Sequence, residues 1–335
     1  MAVIPRASAH RIPSVVLGLA ALLLLPGFLV VRAPWTAVPF LSLLFWIASW
    51  WWLPSVGRGR FLAGALVAFA LLAVFRLVRF QPARPSWPSV VAIAAALLRA
   101  SAGLVPIGGT DAHLDLIPAQ LMVWHDGLPV TYVPLRDAGN FGAHPHGLDA
   151  LAADLSLLSG LAVARAVTLA AAVARGLSSL GVYALLVRRL GPGRAALITA
   201  GIAVVVSLLE ALTGGGDPSW SLAVGFVLTG AGLLVSGRSR SGAVATGALV
   251  GTALMTAPAV VAAGLAAGIV AAAMAWTRTS RETRGLLRHR LGVAAAAAIA
   301  TGGPYVFRVA IGLARSRHRL TRRGGTCARP SRRIA

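Results

Sequence analysis

The feature that most constrains this chain is the length of its apolar runs. A helix that crosses a hydrocarbon core needs about 17–25 residues, predominantly apolar. Ten stretches meet this requirement to within a few residues: 13–31, 35–54, 61–78, 87–105, 164–187, 195–212, 219–236, 242–257, 259–276 and 291–311. The sequence therefore predicts an all-α, polytopic transmembrane bundle of about ten helices.

Composition supports the same fold class. Of the 335 residues, 12% are charged and 57% are hydrophobic, and the mean hydropathy is +0.80. A soluble domain carries roughly 25% charged residues, so this chain cannot cover a water-soluble surface. A soluble enzyme, a nucleic-acid-binding domain and a disordered protein are excluded as descriptions of the whole chain.

The net charge of +22 comes from 31 arginines, with no lysine. Most arginines lie between apolar runs or in the tail, which is typical of cytoplasmic loops that meet anionic lipid. The expected partners are therefore membrane lipids rather than nucleic acid. Cys327 is the single cysteine, which excludes an intrachain disulfide.

Three basic clusters, at 188–194, 238–240 and 278–290, predict the orientation of the second half. If all three are cytoplasmic, the segment 214–218 is external. Loop 106–146 is external if 147–160 lies along the interface, and cytoplasmic if 147–160 spans. We expect the external arrangement, because Asp149 and Asp154 would be costly in a short span.

Four regions follow from these patterns: N-terminal membrane helices (1–105), an extracytoplasmic loop with interfacial helices (106–160), a membrane bundle (161–313) and a basic tail (314–335). The run 13–31 predicts a retained anchor, since it is too long for a signal peptide. The tail is either a cytoplasmic basic segment or a frameshifted or truncated end. The abundance of Ala, Gly and Arg without Lys suggests a bacterium of high GC content, and hence its plasma membrane.

Rare ionisable residues concentrate in one part of the chain. Six of the nine acidic residues and four of the seven histidines lie between 111 and 154. They are Asp111, Asp115, Asp126, Asp137, Asp149, Asp154, His113, His125, His144 and His146. A protein that only spans the membrane has no need to collect such groups, so this segment is the candidate site.

Asp111 is the leading candidate within this segment. Pro106, Gly108 and Gly109 break the preceding helix, and Asp111 stands just before the helical run LDLIPAQLMVW. A carboxylate there can cap the helix, act as general base towards a sugar hydroxyl, or hold a divalent cation that binds phosphate. All three roles are compatible with the residues.

The order of these elements resembles a known family. A Gly-rich break that ends in an acidic residue is followed by a short helix ending in DGLP, a loop, and then HPHGLDALAADLSLLSGL. This order is similar to the first external loop of the C-fold membrane glycosyltransferases, which take sugars from polyprenyl-phosphate donors. The similarity covers about 106–195.

The resemblance implies transfer of a hexosyl or pentosyl group to an acceptor on the extracytoplasmic side. It implies that Asp111 activates the acceptor or contacts a metal or the phosphate. We expect His113 to assist in catalysis, and the substrate-binding side chains to be Asp115, Arg136, His144 and His146. A divalent cation, Mg²⁺ or Mn²⁺, is the expected cofactor at Asp111, and the absence of a P-loop or dinucleotide motif argues against a nucleotide.

Two alternatives remain open. The same residues are compatible with a transporter or flippase of a polar or lipid-linked solute, although such proteins place ionisable groups at mid-membrane on broken helices. A truncated, inactive membrane protein is the other. Arg136 is also compatible with a salt bridge inside its own loop.

Other polar and aromatic residues receive structural interpretations. We expect Arg99, Arg165 and Arg175 to extend to lipid headgroups. Glu210 and Asp217 are expected to be solvated, or to face one external cavity. The run Trp50-Trp51-Trp52 predicts an interfacial aromatic belt.

Overall fold

The structure is a computed structural model that describes residues 12–30, 34–79, 86–102, 104, 111–133, 141, 144–213, 216–236, 240–276 and 281–324. Within these residues the fold is helical. The α-helices are α1 (Ile12–Phe28), α2 (Val38–Trp52), α3 (Arg58–Arg79), α4 (Trp87–Ala102), α5 (Asp111–Trp124), α6 (Gly147–Ser159), α7 (Val163–Leu190), α8 (Pro192–Thr213), α9 (Pro218–Ser236), α10 (Arg240–Thr256), α11 (Pro258–Trp276) and α12 (Arg281–Gly324).

Each of the ten predicted apolar runs corresponds to one of these helices. Five segments are long and apolar enough to cross a membrane: Arg58–Arg76, Val163–Leu190, Pro192–Thr213, Pro218–Val235 and Arg284–Ile311. Three shorter apolar helices are Ile12–Phe28, Trp87–Ala102 and Pro258–Ile269. The all-α class and a multi-pass membrane protein are thereby supported, while ten complete spans remain a prediction.

The last helix differs from its predicted extent. The sequence predicts a span at 291–311 between a basic cluster and a basic tail, but α12 is one helix from Arg281 to Gly324 that contains Pro304. Arginine has a high helix propensity. A basic segment can therefore continue a helix beyond the hydrocarbon core, although its charges stay outside that core. The predicted boundary between 313 and 314 therefore falls inside α12.

Several helix ends meet at one end of the bundle, which we call the Asp217 end. Arg99 near the end of α4 contacts Glu210 near the end of α8. Gly147 at the start of α6 lies against Thr256, the last residue of α10. The ends of α4, α8 and α10 and the start of α6 therefore lie at the same end of the bundle.

Helix α6 is central rather than peripheral. Eleven of its thirteen residues are buried, and it packs against α1, α2, α5 and α7. The sequence predicts an interfacial helix here because two carboxylates in a short apolar segment are costly to bury. In the structure the segment is enclosed by other helices, and each carboxylate has a basic partner. These partners offset the cost of burying the two carboxylates.

Gly147 and Gly160 position this helix. A Cβ atom at Gly147 would collide with the side chain and backbone of Thr256, so only glycine permits this approach of α6 to α10. Gly160 ends the helix with φ of 67°, a left-handed conformation that glycine adopts without strain. The start of α6 is therefore fixed to the Asp217 end.

Candidate functional site

The candidate site is built around a buried His–Asp pair at the start of α6. His146 Nδ1 lies 2.6 Å from Asp149 Oδ2, and His146 Nε2 lies 3.0 Å from the carbonyl oxygen of Phe141. Both side chains are almost fully buried. The spacing of three residues on a helix brings the two side chains to the same face.

The hydrogen bonds determine how many protons the pair holds. A carbonyl oxygen only accepts, so His146 Nε2 carries a proton and donates it to Phe141. The short distance between Nδ1 and Oδ2 requires a second proton between them. The pair is therefore either an imidazolium with a carboxylate or a neutral imidazole with a carboxylic acid, and both forms have zero net charge.

The other carboxylate oxygen of this pair is not used. Asp149 Oδ1 is buried and has no hydrogen-bond partner among the described residues. Burial raises the pKa of the Asp149 carboxyl well above its ordinary value, and the negative charge of Asp217 raises this pKa further. A buried polar atom left unpaired costs about 1–3 kcal/mol, so it needs an explanation other than stability.

Aromatic and imidazole rings surround the pair on the side of the loop. The Phe141 ring stacks on His146 with ring centroids 4.1 Å apart. Tyr132 contacts both Phe141 and His144, at 5.0 Å and 6.0 Å between centroids. His144 is exposed, Tyr132 is partly buried and Asp149 is buried. Polar side chains therefore extend from the protein surface to the His146–Asp149 pair.

These two outer residues have shifted pKa values of their own. The His144 side chain is exposed but still partly desolvated by its neighbours, which lowers its pKa, and the positive charge of His146 lowers this pKa further. Burial raises the pKa of the Tyr132 hydroxyl to about 12, with a contribution from the charge of Asp149. At neutral pH both groups are therefore uncharged and can exchange hydrogen bonds with a polar ligand.

A second ionic group lies at the same end, between α4, α7 and α8. Arg99 Nη2 lies 2.7 Å from Glu210 Oε1, and Arg175 Nε lies 3.7 Å from Glu210 Oε2. Arg175 also donates to the carbonyl oxygen of Gly216 at 3.2 Å. Two guanidinium groups thus share one carboxylate in a mostly buried setting.

The segment before α9 links the two groups. Asp217 accepts a hydrogen bond from the backbone N–H of Ser219 at 2.8 Å and so caps α9. Gly216 is bound by Arg175, while the charge of Asp217 reaches Asp149. The expectation that Arg99 and Arg175 extend to headgroups is wrong, because both side chains are buried and paired with Glu210.

A third ionic group, which sequence reasoning missed, is Arg58 with Asp154. Arg58 Nε and Nη2 donate to Asp154 Oδ1 and Oδ2 at 2.7 Å and 2.6 Å. The remaining donors of Arg58 reach Ser49 Oγ and the carbonyl oxygen of Trp46. Burial raises the pKa of Asp154, and the charge of Arg58 acts against that shift.

Trp50 completes this third group. Its indole N–H donates to Asp154 Oδ1 at 3.1 Å, and its ring lies 4.4 Å below the guanidinium carbon of Arg58. Trp50 and Trp51 are buried, whereas Trp52 is 57% exposed. The predicted interfacial belt is therefore wrong for two of its three members.

The predicted site residues are only partly brought together. His144 and His146 lie side by side, with ring centroids 6.1 Å apart. Helix α5 begins at Asp111, three residues before the predicted helical run, and the side chains of Asp111, His113 and Asp115 lie outside the described residues, as does Arg136. Their catalytic, cation-binding and substrate-binding roles remain predictions.

No three His, Cys, Asp or Glu side chains converge into a metal-ligand group in the part of the chain whose side chains are described. The predicted cation at Asp111 stays a prediction, since that side chain lies outside the described residues. Asp149 belongs to the segment that the sequence singled out, and Asp217 was expected to be solvated or to face an external cavity. Arg58 carried no such signal.

The chain matches no protein-family model, and neither a curated protein nor a solved structure matches it.

Proposed function

We propose that this protein is an integral membrane glycosyltransferase that moves a sugar from a polyprenyl-phosphate donor to an extracytoplasmic acceptor. The proposal depends on the ionisable groups that lie together at the Asp217 end. It combines a buried His–Asp pair that has a free carboxylate oxygen with two arginines that share one glutamate. A bundle that only spans the membrane has no use for this combination.

The arginines suit the donor. When the bond between the sugar and the lipid phosphate breaks, the phosphate oxygen keeps the bonding electrons and gains negative charge. Arg99 and Arg175 supply one positive charge more than Glu210 neutralises, and guanidinium groups bind phosphate through paired hydrogen bonds. Charge stabilisation of the leaving group is the largest contribution expected of such a site.

The His–Asp pair suits the acceptor. As the acceptor oxygen forms its bond to the sugar carbon, its proton passes to Asp149 Oδ1. The proton between Oδ2 and Nδ1 then resides on His146, so the pair takes up one positive charge. Burial raises the pKa of the Asp149 carboxyl, and a carboxylate with a raised pKa is a stronger base than an ordinary aspartate.

The predicted residues of the loop complete the proposal. Asp111 serves as a second base or holds Mg²⁺ or Mn²⁺ against the donor phosphate, with His113 beside it. Asp115, Arg136 and His144 bind donor or acceptor. The proposed location is a bacterial plasma membrane, with the Asp217 end facing outwards.

The test is sugar transfer from a radiolabelled polyprenyl-phosphate sugar in membranes that contain the wild type, Asp149→Asn or Asp111→Asn. We expect transfer by the wild type and a loss of about 10²–10⁴-fold when the base is removed. A loss in Asp149→Asn alone assigns the base to α6, and a loss in Asp111→Asn alone assigns it to α5.

Asp126→Asn is the matched control. Asp126 is exposed and accepts a hydrogen bond from the N–H of Gly59 at 2.7 Å, a role that asparagine also fills. This variant makes the same change of charge in the same region, and we expect full transfer. Absence of transfer by the wild type would contradict the proposal.

One observation favours a second candidate, a proton-coupled transporter or flippase. Helix α6 is enclosed by other helices and carries two buried carboxylates, of which Asp149 has a free oxygen. Ionisable groups inside a bundle are typical of transport pathways. Solute uptake that depends on Asp149, in a chain that transfers no sugar, would replace the first candidate by the second.

A further inference from the structure

An apolar groove lies between the C-terminal part of α2 and the second half of α12, outside the candidate site. Its volume is about 630 Å³, and its lining includes Trp51, Trp52, Ile299, Gly303, Phe307 and Arg308. Ligand pockets in proteins measure about 300–1,000 Å³, so the groove has the size of a binding site.

The groove exists because α12 packs mainly along α10, which leaves space between α12 and α2. Helix α12 packs closely along α10, where Gly251 lies against Ala298 and Gly302 lies against Gly251. Helix α12 also contacts α2, where Trp51 and Tyr305 form an edge-to-face pair. The face of α12 that points towards α2 therefore remains open.

The rim of the groove is apolar and exposed. Ile299 is 73% exposed, Phe307 is 66% exposed and Trp52 is 57% exposed. These residues belong to, or adjoin, the candidate span Arg284–Ile311. In a membrane this surface faces hydrocarbon, so lipid chains are the molecules in contact with the opening.

Arg308 gives the groove a polar end. It is partly buried and lies in the last turn of the candidate span, where the headgroup level is expected. From Ile299 to Arg308 a helix rises about 14 Å. This length is close to half of a hydrocarbon core about 30 Å thick, which is the depth of one leaflet.

We propose that the groove binds an anionic phospholipid, with one acyl chain along α12 and the phosphate on Arg308. The chain fills the space beside Gly303 and covers the exposed side chains of Ile299 and Phe307. The guanidinium of Arg308 provides the charge-assisted hydrogen bonds that a phosphate accepts. Phospholipid binding at this place does not depend on the proposed sugar transfer.

The first arm of the test fills the groove. A Cβ atom at Gly303 meets open space, so Gly303→Leu occupies the groove without a collision. Gly292→Leu is the matched control, because Gly292 lies on the same helix, is exposed and also meets open space. Each protein is reconstituted with phosphatidylglycerol or phosphatidylcholine, extracted in mild detergent, and analysed by native mass spectrometry for retained lipid.

We expect the wild type and Gly292→Leu to retain phosphatidylglycerol, and Gly303→Leu to lose it. In the second arm, Arg308→Gln is expected to retain about tenfold less phosphatidylglycerol, while Arg60→Gln, at an exposed arginine outside the groove, retains the wild-type amount. Retention that is equal in Gly303→Leu and the wild type overturns the groove as the site.

The lipid class has its own outcomes. Equal retention of phosphatidylcholine and phosphatidylglycerol by the wild type overturns the role of Arg308. Displacement of phosphatidylglycerol by added polyprenyl phosphate, absent in Gly303→Leu, overturns the phospholipid assignment and makes the groove a donor-lipid site. Circular dichroism of every variant verifies that its helices are intact.

Discussion

Helix α6 carries two buried aspartates five residues apart, and their carboxylates differ in how many hydrogen bonds they accept. Asp154 accepts hydrogen bonds from two nitrogens of the Arg58 guanidinium and from the indole N–H of Trp50. Asp149 receives one bond from His146, and its second oxygen receives none among the described residues. The two carboxylates are both buried, and they differ in how many hydrogen bonds their oxygens accept.

The surroundings of the two carboxylates explain the contrast. Arg58 presents a planar guanidinium fork that matches both oxygens of a carboxylate. His146 offers Asp149 a single ring nitrogen, because its other nitrogen is bonded to the carbonyl oxygen of Phe141. The arginine partner therefore engages both oxygens of Asp154, and the histidine partner leaves one oxygen of Asp149 without a hydrogen bond among the described residues.

The largest expected effect comes from breaking the satisfied pair. Arg58→Met leaves Asp154 buried without a charged partner, and we expect a loss of about 3–5 kcal/mol in the free energy of unfolding. The measurement is thermal unfolding in detergent, followed by circular dichroism.

The double variant Arg58→Met, Asp154→Leu is the control for this prediction. Replacement of a whole buried ion pair by apolar side chains is often neutral. We therefore expect it to recover most of the lost stability. Equal destabilisation of the single and double variants would show that Arg58 acts through Ser49 and Trp46 instead.

The second prediction compares like substitutions at the two carboxylates. Asp149→Asn keeps a hydrogen bond to His146 and removes no bond at the free oxygen, so we expect a change of about 1 kcal/mol or less. Asp154→Asn leaves the buried charge of Arg58 unbalanced, and we expect a loss of about 3 kcal/mol. Similar losses in the two variants, measured by the same unfolding assay, would remove the distinction between the pairs.

The smallest expected effect concerns the outer edge of the unsatisfied pair. The pKa of His144 is lowered in the folded protein from 6.5, so the unfolded chain binds more protons as the pH falls below that value. Stability that is present above pH 6.5 is therefore lost as the pH falls, and His144→Gln removes this part of the loss. The measurement is the apparent Tm between pH 7 and pH 5, and parallel profiles of variant and wild type would contradict the assignment.

The helices could be predicted from the sequence because the length and apolar composition of each run indicate a membrane helix without any information from the rest of the chain. The predicted positions of α7 and α9, for example, differ from the structure by a few residues at most. The lengths of helices in basic segments could not be predicted in the same way. In α12 the arginines mark the edge of the hydrocarbon and carry no information on where the helix ends.

The candidate site could be predicted in position but not in pairing. The concentration of acidic residues and histidines indicated the segment that contains His146 and Asp149. Arg58 and Asp154 are 96 residues apart, and no local pattern joins them. Glu210 likewise meets Arg99 and Arg175 only through the packing of three helices, so their burial was not visible in the sequence.

The close fit of α10 and α12 has a consequence for how the protein is made. Gly247 and Gly251 bring the backbone of α10 against α12, and small residues are what allow helices in lipid to approach so closely. Helix α11, which the ribosome produces between them, is largely exposed over 262–269. The glycine face of α10 is therefore exposed to lipid during synthesis until α11 and then α12 have been made, and only α12 covers it.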